Sequence, residues 1–243
     1  MKNVLMGVSY LGTNYAGWQR QNNALGIQEV IENAMYELSG QNVEIFASGR
    51  TDSGVHALEQ CVSFETNFSN TSKLPMALNS KLPKDIRILW AKEVDEDFHA
   101  RYSAHKKTYL YRIKTENIES PFDEQITTYL PYKLNLEKMV EASKYLLGEH
   151  NFEAFCSSGS SVPDYTRIIY DLTIKKTDNL FEFEINGNGF LYNMVRIIVG
   201  TLVDVGRGKI EPLEIKEILV SQDRQMAGKT MPAKGLTLKK VTY

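Results

Sequence analysis

The segment Leu191 to Leu202 constrains this chain most. Leu191, Met194, Val195, Ile197, Ile198, Val199 and Leu202 leave almost no polar face, so the spacing predicts a helix buried nearly all round. Such a helix must be covered by other layers. Yet Arg196 sits in its middle, with Asn193 three residues before it and Gly200 four after, forming a polar stripe. A guanidinium cannot give up its proton, so it needs a partner inside the protein. Backbone carbonyls would serve, and so would a buried carboxylate. Asp52 is the leading candidate for the second.

Asp52 lies in Gly49 to Ala57, which reads Gly-Arg-Thr-Asp-Ser-Gly-Val-His-Ala. A run of strand character, Val43 to Phe46, leads in, and another, Gln60 to Phe64, leads out. Glycines on both sides of Asp52 predict a tight loop on the end of a sheet, where rigid strands present functional groups. Asp52-Ser53-Gly54 also suits a plain turn whose aspartate bonds its own backbone. Arg50, Asp52 and His56 are more ionisable groups than such a turn needs.

Composition narrows the classes. The chain has 243 residues, which suits one large or two small domains. Its hydrophobic (42%) and charged (24%) shares fit an ordinary globular protein. The net charge of -2 advertises no global cationic field, so any polyanion must be held locally. Cys61 and Cys156 lie far apart and form no CxxC, which argues against zinc and against a disulfide framework. With no charged leader, long apolar span or lipidation signal, the expected location is cytoplasmic, with no membrane contact.

In chain order, the pattern predicts a strand at Val4 to Tyr10, a loop carrying Tyr15 and Trp18, and an amphipathic helix at Ile27 to Leu38 with Gly40 past its end. After the Asp52 loop come a short Pro-containing helix, Leu74 to Asn79, and a strand, Ile86 to Val94. The second half repeats this logic. Strands are expected at Thr108 to Lys114, Ile168 to Lys175 and Leu180 to Ile185, the last two joined by a hairpin-like turn. Helices are expected at Leu136 to Leu147, Leu191 to Leu202 and Leu213 to Val220, and a closing strand at Leu236 to Val241. Two α+β halves of similar plan follow, divided into residues 1–104 and 105–243.

Asp95 to His99 reads as an acidic turn; no further carboxylates or histidines sit at ligand spacing, so no metal is expected. From His99 to Lys114, Arg101, Lys106, Lys107, Arg112 and Lys114 alternate with Tyr102, Tyr109 and Tyr111, without one acidic residue. That composition suits single-stranded or looped RNA, and equally a solvated strand with tyrosines packed beneath. Gly187-Asn-Gly189 and Gly206-Arg-Gly208-Lys209 fail the dinucleotide and phosphate-loop patterns. No serine, cysteine or histidine arrangement makes a nucleophile and base pair.

Several segments together resemble the TruA family of tRNA pseudouridine synthases. They are Tyr15-Ala-Gly-Trp-Gln-Arg-Gln21, Gly49 to Ala57, Asp97-Phe-His-Ala-Arg-Tyr-Ser-Ala104, Lys107-Thr-Tyr-Leu-Tyr111, Gly189-Phe-Leu-Tyr-Asn-Met-Val-Arg196 and Ala233-Lys-Gly-Leu236. The resemblance implies two similar α/β-sandwich halves, with mostly antiparallel sheets, flanking a central catalytic cleft. It implies a homodimer without cofactor that isomerises uridine to pseudouridine at positions 38, 39 and 40 of the tRNA anticodon stem-loop. It assigns Asp52 as the catalytic aspartate, Tyr109 as the base-stacking tyrosine and Arg196 as the arginine paired with the aspartate. Arg50 matches a residue that holds the substrate nucleotide out of its stack. Ser53 stands where many members have alanine, and Ala227-Gly-Lys-Thr-Met-Pro232 departs from the usual Ala-Gly-Pro-Thr-Ala-Pro. A non-catalytic RNA-binding module is the alternative, but it gives no reason for an arginine inside an apolar helix. A hydrolase using Asp52 would need a second acid-base group or a metal.

Overall fold

The computed structural model describes residues 1–159 and 162–243. Residues 1–105 and 237–243 form one compact unit, and residues 106–236 a second. The first builds β1 (Lys2–Tyr10), α1 (Ile27–Ser39), β2 (Phe46–Ala47), β3 (His56–Thr66), α2 (Leu74–Asn79) and β4 (Ile86–Val94). The second builds β5 (Lys106–Lys114), β6 (Thr128–Tyr129), α3 (Leu136–Ser143), β7 (Gly148–Asn151), β8 (Thr166–Thr177), β9 (Leu180–Gly187), α4 (Met194–Gly206) and α5 (Glu214–Ser221). The chain closes with β10 (Leu236–Thr242). The protein is α+β, and both units combine a mostly antiparallel sheet with helices.

In the first unit the strands run β4-β1-β3-β10. β1 pairs antiparallel with β3 and β4, and its Val4, Met6 and Val8 are fully buried. α1 buries Ile27, Ile31, Ala34 and Met35, packs on α2, and stops where Gly40 turns left-handed at φ 68. The helices at 27–39 and 74–79 and the strand at 86–94 form where the hydrophobic spacing expects them.

Two local expectations change. The run Val43 to Phe46 pairs only at Phe46 and Ala47, because the Ile45 N–H donates to the Glu32 carboxylate at 3.2 Å instead of to a neighbouring strand. The closing strand lies parallel to β3, with Thr237 opposite His56 and Leu238 opposite Ala57. That pairing places residues 237–243 with the first unit rather than with residues 106–236.

In the second unit the strands run β5-β9-β8-β7. Tyr111, Phe181, Phe183 and Ile185 form the buried centre of the β5–β9 pair. The β8–β9 hairpin turns through Asp178 at φ 53. The expected helix at 136–147 ends at Ser143 and finishes as a 3-10 turn, Lys144–Leu146. The apolar helix begins at Met194 and not at Leu191, since Asn193 is left-handed (φ 60) and no α-helix runs through that conformation. It extends instead to Gly206, close against α3. A Cβ on Gly206 would lie 2.8 Å from the Met139 sulfur.

Candidate active site

In the first unit, Asp52 is half-buried on a loop bonded from both sides. The Val55 N–H donates to the Asp52 carbonyl at 3.1 Å, and Gly54 is left-handed at φ 76, which closes the turn. Thr51, just before, is buried; its hydroxyl meets the Tyr10 hydroxyl at 2.8 Å, and its carbonyl accepts from the Trp18 N–H at 3.0 Å. The Tyr15 carbonyl accepts from the Ser53 hydroxyl at 3.2 Å and from the Gly54 N–H at 3.4 Å. Residues 12–18 therefore form a bed beneath the loop.

Two glycines allow that closeness. A Cβ on Gly12 would fall 2.0 Å from the Val55 carbonyl oxygen, and one on Gly17 would fall 2.6 Å from the Thr51 carbonyl oxygen. Gly17 is also left-handed, at φ 92. The bed is itself anchored. The Tyr15 phenol donates to the Asp85 carboxylate at 2.8 Å, and burial, reinforced by that carboxylate, pushes its ionisation well above the usual range. The Trp18 ring leans on Tyr10 at 6.0 Å. Both aromatics of the Tyr15 to Gln21 motif are thus packing residues.

His56 proves structural as well. It is buried, and its Nδ1 accepts from the Gly12 N–H at 2.9 Å, so the ring pins the bed to the loop. The sequence reading gave no weight to Gln60. Its buried side chain accepts from the Ser48 hydroxyl at 2.5 Å and donates to the Gly49 carbonyl at 2.7 Å, fixing the start of the loop. A neutral glutamine on a strand that also carries Glu59, Ser63 and Glu65 gives almost no signal of that part. Arg50 is exposed and bonds no other described residue through its side chain.

In the second unit, strand alternation puts Tyr109 and Tyr111 on one face of β5, with different fates. Tyr111 is fully buried. It donates to the Pro232 carbonyl at 2.7 Å and lies 2.7 Å from the Thr128 hydroxyl, and burial pushes its ionisation far up. Tyr109 is half-buried, with Phe190 edge-on at 5.2 Å. The basic stretch is less available than its composition suggests. Arg112 pairs with Glu182 at 3.0 Å, Lys114 with Asp123 at 2.5 Å, and Lys106 lies over the Tyr170 ring at 5.0 Å.

Arg196 projects from α4, half-buried. Its Nε donates to the Met231 carbonyl at 2.6 Å and its Nη1 to the Asn193 Oδ1 at 2.6 Å. Asn193 in turn donates to the Ser157 hydroxyl at 3.0 Å. Two N–H groups of the guanidinium thus fix the plane of all five. A backbone carbonyl is among its partners, as one of the two sequence readings expects. The loop supplying Met231 lies tightly on the helix: a Cβ on Gly200 would sit 1.9 Å from the Lys229 carbonyl oxygen.

The family model described as tRNA pseudouridine synthase matches residues 6–103 and 142–243. The chain belongs to the tRNA pseudouridine synthase family. The match takes in Asp52 on one segment and Arg196 on the other. Relatives named tRNA pseudouridine synthase A align along all or nearly all of the chain. That of Thermoanaerobacter sp. (strain X514) is 49% identical over 244 residues, covering 100% of both chains. That of Bacillus pumilus (strain SAFR-032) is 48% identical over 239 residues, covering 97% of each. A solved H/ACA ribonucleoprotein bound to a substrate RNA is a loose match. Its TM-score is 0.40 at 12% identity, over 98% of this chain and 47% of that one, too loose to transfer any residue role. Pseudouridine synthases are isomerases. Among the described residues, no helix is long and apolar enough to cross a membrane, and no three His, Cys, Asp or Glu side chains are grouped to hold a metal ion.

Proposed function

We propose that this chain isomerises uridine to pseudouridine at positions 38, 39 and 40 of the tRNA anticodon stem-loop, acting as a cytoplasmic homodimer. Asp52 would be the catalytic carboxylate, Tyr109 the stacking ring, Arg196 the partner of Asp52, and Arg50 a residue that keeps the nucleotide out of its stack. The observation that carries the reading is Asp52 itself. It is a carboxylate on a loop locked by hydrogen bonds on both sides, in a chain that aligns end to end with tRNA pseudouridine synthase A relatives.

The chemistry suits that residue. The C1′–N1 bond breaks, a C1′–C5 bond forms, and the proton on C5 is replaced by one on N1. Nothing is oxidised and no water is added. One ionised carboxylate serves either route, by attacking C1′ or by drawing off a proton as the base leaves. A carboxylate enclosed with a nucleotide tends to protonate through desolvation, and a nearby guanidinium opposes that. The Met231 carbonyl and Asn193 hold the Arg196 guanidinium in one plane, which suits such a task. Reaching the base requires extruding it from the stack, and an aromatic ring gives it a new face to stack on. A purely RNA-binding role explains neither the bonded bed under Asp52 nor Arg196 in an apolar helix.

The test is release of tritium from tRNA transcripts labelled at uridine C5, with the modified positions mapped. Release confined to positions 38 to 40 is expected. No release from any transcript carrying uridine there would overturn the reading, and label from heavy-oxygen water in the RNA would point to a hydrolase instead.

A further inference from the structure

Most of the basic and aromatic stretch from His99 to Lys114 is occupied, but Arg101 and Tyr102 near its start are exposed. Tyr102 is 76% exposed, and its hydroxyl bonds no described residue. The His99 ring lies 4.5 Å from it, and Phe46, itself 43% exposed, lies 5.3 Å beyond His99. The Arg101 guanidinium sits 5.7 Å from the Tyr102 ring. All four residues belong to the first unit. Phe46 lies on β2, and the turn carrying His99, Arg101 and Tyr102 is held by hydrogen bonds. The His99 Nδ1 accepts from the Arg101 N–H at 3.0 Å, the His99 carbonyl from the Ser103 N–H at 2.9 Å, and the Ser103 hydroxyl from the His99 N–H at 3.2 Å.

A soluble protein loses little by exposing one aromatic ring, but three adjoining rings and a guanidinium held in place make a surface. We propose that Phe46, His99, Tyr102 and Arg101 form a stacking platform for an unpaired base of the RNA substrate, separate from the residues assigned to the chemistry. This rests on the reading of the chain as an RNA-modifying enzyme. A flat ring with a guanidinium beside it offers a base one face to stack on and its phosphate a charge, and any base will do. Asp95, Glu96 and Asp97 lie just upstream, so the local field is not broadly cationic. The ring faces, not bulk charge, must supply the attraction. An anticodon loop, whose bases are unpaired, has the right form for such a site.

The experiment uses the full chain and an anticodon stem-loop carrying 2-aminopurine at successive single-stranded positions. Tyr102→Ala should weaken binding about 5- to 150-fold, the span that stacking of one base supplies. It should abolish the quenching at one position, and leave kcat at saturating RNA unchanged. Tyr102→Phe should bind within about twofold of the parent. Arg101→Gln should lower the slope of affinity against salt by about 1. Binding by a folded Tyr102→Ala within about twofold of the parent would overturn the platform. So would loss of self-association with RNA affinity unchanged, which would make the rings an interface between copies of the chain. Binding without isomerisation by the parent chain would overturn the catalytic reading alone.

Discussion

Replacing Tyr10 by phenylalanine tests whether the Asp52 loop is held from below. The change deletes one oxygen from a residue only 3% exposed. Its hydroxyl lies 2.8 Å from that of Thr51, the residue before Asp52, and Thr51 is itself buried. A buried hydroxyl left without its partner costs about 1–3 kcal/mol. For a chain of this size each kcal/mol moves the melting temperature by about 2–4 °C, so a loss of roughly 2–12 °C is expected. The kinetic effect should be larger, since misplacing a reacting group by about 1 Å can cost on the order of a hundredfold. Because Tyr10 is out of reach of RNA, kcat should fall while KM holds. Adding Thr51→Val removes the stranded hydroxyl, so the double variant should be more stable than the sum of the single changes predicts, by about 1 kcal/mol. Urea unfolding of the four proteins, with kcat and KM for each, supplies the test. A Tyr10→Phe protein within about 0.5 kcal/mol of the parent, or one with raised KM and unchanged kcat, would refute the reasoning.

Other outcomes follow from the same geometry. Asn193→Gly keeps the left-handed backbone but removes the acceptor for Arg196, so kcat should drop, whereas Asn193→Asp, which keeps an acceptor, should retain most of it; equal rates would remove Asn193 from the site. Tyr109→Phe should preserve RNA stacking and Tyr109→Leu should lose it, a difference of about 1–3 kcal/mol in binding; equal affinities would exclude stacking. Burial pushes the Cys61 thiol up to about 12, so in the native protein it should resist iodoacetamide at pH 8 and react once unfolded. The sign for stability is set by the same shift: the unfolded chain releases this proton first, so stability should fall as pH rises above the ordinary thiol range towards 12. Rapid native labelling would contradict the burial.

Much of the fold was legible because its signals are local. Ile27, Ile31 and Ala34 mark the buried face of α1, and Ile86 and Ile88 open β4, within short windows of sequence. What was missed depended on distant partners. Val43 to Ile45 have strand propensity, but Glu32 takes the Ile45 N–H, so propensity gives way to a side chain from another element. The start of α4 turned on Asn193, whose left-handed backbone and two side-chain bonds appear only once Ser157 and Arg196 are near it. Among the candidate residues, Asp52 in the first unit and Arg196 in the second each stand out as a charge in a setting that needs a reason. His56 misled for the same cause: an ionisable group in a loop reads as chemistry until its Nδ1 is seen to accept from Gly12. Gln60, a neutral side chain on a strand, gave almost no signal for its part in fixing Gly49.

The most direct measurement is the Asp52→Asn protein, assayed for tritium release and, separately, for tRNA affinity. Phosphate contacts spread over other residues should carry most of the binding. Turnover should vanish while the dissociation constant stays within about tenfold of the parent, roughly 1.4 kcal/mol. Measurable turnover by a folded Asp52→Asn protein, or parallel loss of binding and activity, would contradict the assignment of Asp52 as the catalytic carboxylate.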